Sequence, residues 1–134
     1  MDIIKNKLEF NNIFIDNYVS STCINKPSRP YPHMINKNLE ILNIANPQTV
    51  IKVDDTLVGI QEGINANCIT VAVARWSVNM GIHNIQDAFE LSDFDVYRNL
   101  IKSREILNES GADYVINTLD ELPPLINKLN LKKI

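Results

Sequence analysis

The chain has 134 residues, enough for one domain with a modest core. Charged residues make up 22% and the net charge is −3, which suggests neither a basic nucleic-acid stripe nor a membrane-binding basic patch. No apolar run approaches the roughly 18 residues of a membrane span, and M-D-I-I-K-N-K-L, with an early acid and no long apolar stretch, does not read as a signal peptide. Cys23 and Cys68 lie far apart without a C-x-x-C pattern, which predicts reduced thiols and a cytoplasmic setting.

In chain order, residues 2–9 predict a short helix with Ile3, Ile4 and Leu8 on one face. Asn17 to Ser21 predicts a short strand. Pro27, Pro30 and Pro32 then make a stiff loop, because proline fixes φ and restricts the residue before it. Met34 to Leu42 continues as a helix, and Asn46-Pro47 turns the chain.

Val50, Ile51 and Val53 form an apolar, β-branched run, as a strand covered on both faces requires. The run stops at Asp54, Asp55 and Thr56. Thr56 or an aspartate can cap a helix over 57–66, and Ile69 to Ala74 is a second buried strand. Arg75 to Gly81 is expected to be a loop at the same edge, followed by a helical turn over Gln86 to Leu91. Asp93 to Glu109 predicts the longest helix, with Val96, Leu100, Ile101 and Leu107 as its stripe and Gly111 ending it. Tyr114 to Ile116 is a third strand. A last helix begins at Asp120 and tolerates Pro123 and Pro124 in its first turn. This alternation predicts an α/β domain over 1–134: a parallel sheet with helices on both faces.

Two carboxylates at the carboxyl end of the first strand stand where open parallel sheets bind ligands. Asp54 and Asp55 can cap a helix or hold Mg²⁺, a hard cation that takes carboxylate oxygens and keeps water or phosphate. Arg29, held between prolines, is either a solvated surface residue or a phosphate contact. His33 and His83 lack metal-ligand spacing and read as surface or packing residues. Lys52 is a buried carboxylate partner or points to the sheet edge; Trp76 lines a pocket or covers the core. Ser77 has no partners at triad-like spacing, and no G-x-G-x-x-G or G-K-[ST] occurs. A receiver-domain reading shares the acidic pair but lacks a placeable phosphoacceptor aspartate and lysine.

The segments S-R-P-Y-P-H-M-I, V-I-K-V-D-D-T-L-V-G-I-Q-E-G-I-N-A-N, T-V-A-V and S-G-A-D-Y-V-I-N-T-L-D-E-L-P resemble phosphonoacetaldehyde hydrolase (phosphonatase) of the haloacid-dehalogenase superfamily, in that family's order and over nearly the whole chain. The resemblance implies a partial Rossmann-like core, with Asp55 as the Mg²⁺ ligand, Asp54 as its acidic neighbour and Arg29 on the phosphate side. The family reaction opens with a cap-domain lysine forming a Schiff base with phosphonoacetaldehyde. An aspartate attacks phosphorus, the C–P bond breaks, and water releases phosphate. The nucleophilic D-x-x-x-T segment, the cap and a Ser/Thr phosphate segment lie upstream of what aligns. The chain is therefore expected to correspond to the carboxyl-terminal half, with the cap absent, no catalytic residue of its own and a strand edge left open. Expected partners are a small phosphonate, a separate amino-terminal half or a second copy, with neither nucleic acid nor membrane; the alternative is a non-enzymatic remnant or binding module. Asn67 stands where the family usually has glycine, and S-S-T-C-I-N replaces an often acidic segment.

Overall fold

A computed structural model describes residues 2–131, without the side chains of Asp2 and Ile4; Met1 and the expected contribution of Ile4 to the first helix lie outside the described residues. Three parallel strands form the sheet in the order β1-β2-β3: β1 (Ile51–Asp54), β2 (Ile69–Val73) and β3 (Tyr114–Ile116). Ile51 pairs with Ile69 and Asp54 with Ala72, while Val71 pairs with Tyr114 and Val73 with Ile116. The strands are joined by α4 (Leu57–Asn65) and by α6 (Asp93–Glu109), which α5 (Ile85–Glu90) precedes. Upstream stand α1 (Asp2–Phe10), α2 (Ser21–Ile24) and α3 (His33–Ile41); α7 (Leu122–Leu131) follows β3.

Alternation along each strand divides the sheet into two faces. Ile60 of α4 and Leu107 of α6, both fully buried, meet Ala72 and Ala74, with Leu100 and Val115 packed around them. Val71 and Ile116 point the opposite way and are also buried. The α4 ends agree with the sequence reading. Thr56 Oγ1 accepts from the Gly59 N–H at 3.1 Å, and the helix closes by Asn67 N–H to the Ile64 carbonyl and Cys68 N–H to the Gly63 carbonyl. That closure needs a left-handed residue, and Asn67 supplies it at φ +60°. Asparagine tolerates this region best after glycine, so Asn67 suits the turn.

Two expectations are corrected. Residues 17–20 are irregular and Ser21 opens α2, so the strand expected over Asn17 to Ser21 does not form. Ser20 Oγ bonds Thr22 Oγ1 at 2.8 Å and Cys23 Sγ at 3.0 Å, and Asn17 Nδ2 donates to Asn38 Oδ1 at 2.7 Å. Such local side-chain bonds compete with strand pairing. Along α6, Ile101 is exposed and Ser103 is buried in its stead. The Ser103 hydroxyl donates to the Ala74 carbonyl at 2.9 Å and bonds Ser77 Oγ at 2.8 Å, so both serines are satisfied inside the core. This makes Ser77 a packing hydroxyl. Among the described residues no helix is long and apolar enough to cross a membrane.

Candidate functional site

The acidic pair lies at the carboxyl end of β1, and strand alternation sends its two members apart. Asp54 shares a face with Lys52 and turns under α4. Its Oδ2 accepts from Lys52 Nζ at 2.7 Å, and its Oδ1 from the Thr56 backbone N–H at 3.0 Å and from Thr56 Oγ1 at 2.7 Å. Glu62, from the buried side of α4, completes the group: its Oε2 lies 3.6 Å from Lys52 Nζ and 3.2 Å from Arg29 Nε. Arg29 Nη1 stands 3.8 Å from Asp54 Oδ2. Two cations and two carboxylates thus form a compact cluster. Glu62 and Asp54 keep only 2% and 7% side-chain exposure, while Arg29 keeps 42%. Among the described residues, Glu62 Oε1 is a buried side-chain oxygen without a hydrogen-bond partner.

Asp55 goes the other way. It borders an open cleft of about 310 Å³ with Val53, Asp54, Val73, Arg75, Trp76 and Leu119. Among the described residues its carboxylate has no hydrogen-bond or ion-pair partner, and Asn79 Nδ2 reaches only its backbone carbonyl, at 3.5 Å. Arg29 does not line this cleft. Lys52 takes the buried-partner role, and Trp76 stands at the mouth, half exposed. His33 stacks on Tyr31, with ring centroids 5.9 Å apart, and His83 borders a second depression beside Trp76. Glu62 and Arg75 were not singled out from sequence. The i,i+2 pairing of Lys52 with Asp54 could have pointed to a buried charge seeking a further partner on α4.

Burial raises the Asp54 pKa, but hydrogen bonds from Lys52 and Thr56, with the positive charge of Lys52, outweigh it and hold the carboxyl below its ordinary value. The unfolded chain therefore takes up this proton at higher pH than the folded one. The stabilisation is complete above the ordinary value of 3.8 and is lost as pH falls through the lower folded value. Urea midpoints measured from about pH 5 downward should decline below 3.8, with a flatter acid limb in Asp54→Asn. An identical limb in the variant would remove Asp54 as its source.

Metal fit is narrow. Among the described residues no group of three or more His, Cys, Asp or Glu gathers to hold an ion. Asp55 offers one unpartnered carboxylate at an open cleft, which suits a cation that keeps most of its waters, and Asp54 stands beside it with both oxygens engaged.

The three-stranded parallel α/β sheet with its acidic turn matches solved haloacid-dehalogenase-like structures. The chain is homologous to the carboxyl-terminal part of phosphonoacetaldehyde hydrolase. It is 42% identical over 103 residues to that enzyme from Latilactobacillus sakei, covering 75% of this chain and 37% of the relative. It is 31% identical over 132 residues to that of Bacteroides fragilis, covering 98% of this chain and 49% of the relative. A phosphonoacetaldehyde hydrolase-like protein from Oleispira antarctica superposes with a TM-score of 0.87 at 28% identity, over 98% of this chain and 47% of its own. The chain thus spans less than half the length of these relatives. No family model matches it.

Proposed function

We propose that these residues form the acid-bearing part of a phosphonatase-type hydrolase site, acting on a small phosphonate with Mg²⁺ in the cytoplasm. Asp55 is the metal ligand, Asp54 its buried neighbour and Arg29 the phosphate-side cation. The observation that carries this reading is the unpartnered Asp55 carboxylate on the cleft at the carboxyl edge of the sheet. Mg²⁺ there would neutralise phosphoryl charge. The chain's own contribution is positional. Lys52 and Thr56 hold Asp54 beneath the turn, while Glu62 takes Arg29 by Nε and leaves its fork partly exposed for an oxyanion. The two free cysteines accord with a reducing compartment.

The nucleophile and Schiff-base roles are assigned to no residue of 1–134. The purified chain given phosphonoacetaldehyde and Mg²⁺ is therefore expected to release no phosphate catalytically, yet to bind Mg²⁺ in calorimetry, with binding lost in Asp55→Asn. Catalytic release would overturn the first expectation, and equal binding by the variant the second. The chain covers less than half of each relative, so adding an amino-terminal half of a relative is expected to restore release.

A further inference from the structure

We propose that Arg75 and Trp76 form the recognition wall of the Asp55 cleft, suited to a phosphate or phosphonate that carries a planar or aromatic substituent; this rests on reading the cleft as the ligand site. The dipeptide follows β2 after Ala74 and is tied on both sides. The Arg75 N–H donates to the Asn117 carbonyl at 2.9 Å, and the Trp76 N–H points to Met80 Sδ at 3.0 Å. Trp76 has φ +63°, in the left-handed region where a bulky side chain is strained and which persists only when its surroundings impose it. The outcome of that strain is an indole left 51% exposed beside an acid instead of folded into the core. The Arg75 guanidinium carbon sits 5.2 Å from the ring centroid, a cation–π stack that stiffens both side chains.

The three side chains impose a combined requirement. Arg75 donors suit an oxyanion. Asp55 opposes a bare anion, so binding should need a divalent cation between them. Trp76, above the apolar floor of Val73 and Leu119, offers a ring face that an alkyl group uses poorly and an aryl group uses well.

Trp76 is the sole tryptophan, so its emission reports the cleft directly. The test titrates the chain, with and without Mg²⁺, with phenylphosphonate and methylphosphonate, followed by tryptophan fluorescence and calorimetry. Phenylphosphonate is expected to perturb the emission and to bind about fivefold to tenfold more tightly than methylphosphonate, in Mg²⁺ only. Arg75→Met should weaken both ligands. Trp76→Gly, which relieves the backbone and so favours folding, should erase the preference in calorimetry. Equal affinities in the unsubstituted chain would overturn this inference and leave the Asp55 reading standing, provided Asp55→Asn abolishes the shared binding. Binding of neither ligand overturns the inference as well, and the Mg²⁺ titration alone then decides whether Asp55 holds metal.

Discussion

Replacing Lys52 by methionine is expected to lower the unfolding free energy by about 3–5 kcal/mol, read as a fall in the urea midpoint at unchanged slope. The reason lies in what remains. Asp54 and Glu62 are almost fully buried, and Lys52 Nζ is within 4 Å of both, at 2.7 and 3.6 Å. Once it is gone, the half-exposed Arg29 is the cation left to the two carboxylates among the described residues, 3.8 Å from Asp54 and 3.2 Å from Glu62. A carboxylate pair so desolvated is far costlier than the surface ion pairs elsewhere, such as Lys37 with Glu40. Methionine keeps the apolar stem that lies against Gly63 of α4, so packing changes little and the effect isolates charge. Two corollaries distinguish this from general damage. Lys52→Met combined with Glu62→Gln should lose less than the sum of the two single losses, because the second change removes one of the stranded charges. The acid limb assigned to Asp54 should also flatten, since the hydrogen bond that depresses its pKa is gone. An unchanged midpoint would mean that the cluster contributes nothing net to stability.

The β1-α4-β2 unit was legible because every local signal agreed: a β-branched run, a Thr56 cap and a second apolar run at crossover distance. The ends of α6 and β3 were legible for the same reason. What escaped depends on contacts that sequence spacing does not display. Ser103 could not be placed inside the core by hydropathy, since its burial depends on Ser77 and the Ala74 carbonyl, both distant in sequence. Ile101 completed an apolar stripe on paper yet stands in solvent. The strand expected at Asn17 rested on propensity, which yields where hydroxyls and amides find local partners. In the site, the acidic turn was legible and the division of labour between its aspartates was not. Alternation along β1 assigns Asp54 to the Lys52 face, but only the seating of Glu62 on α4 shows how much charge is gathered there. The left-handed backbone at Trp76 gave no signal, because that conformation is normally announced by glycine or asparagine.

Gly59→Ala should be destabilising by about 3 kcal/mol, against the gain of about 1 kcal/mol that helix propensity alone would assign to alanine. Gly59 is buried where α4 lies directly on the end of β1, and a Cβ there would fall on the Asp54 carboxyl group itself. Two escapes exist and both are unfavourable. If the carboxylate moves, it leaves the Lys52 and Thr56 bonds that hold it in a buried setting. If α4 lifts instead, Ile60 withdraws from Ala72 and Ala74, and the Thr56 cap on the Gly59 N–H opens. Gly63→Ala supplies the comparison within the same helix. Its Cβ would come 2.7 Å from Thr70 Cγ2 and 2.8 Å from Lys52 Cγ, a shallower overlap than at Gly59 but one that still forces a shift, because Thr70 is fully buried and bonded to Asp113. The expected order of loss is therefore Gly59→Ala above Gly63→Ala, and under the proposed metal role of Asp55 the first should also weaken Mg²⁺ binding by displacing the turn that carries it. Chemical unfolding of both variants beside the unsubstituted chain checks the order. A stabilised Gly59→Ala would show that propensity outweighs the seating of α4 on Asp54, and that the acid has room to move.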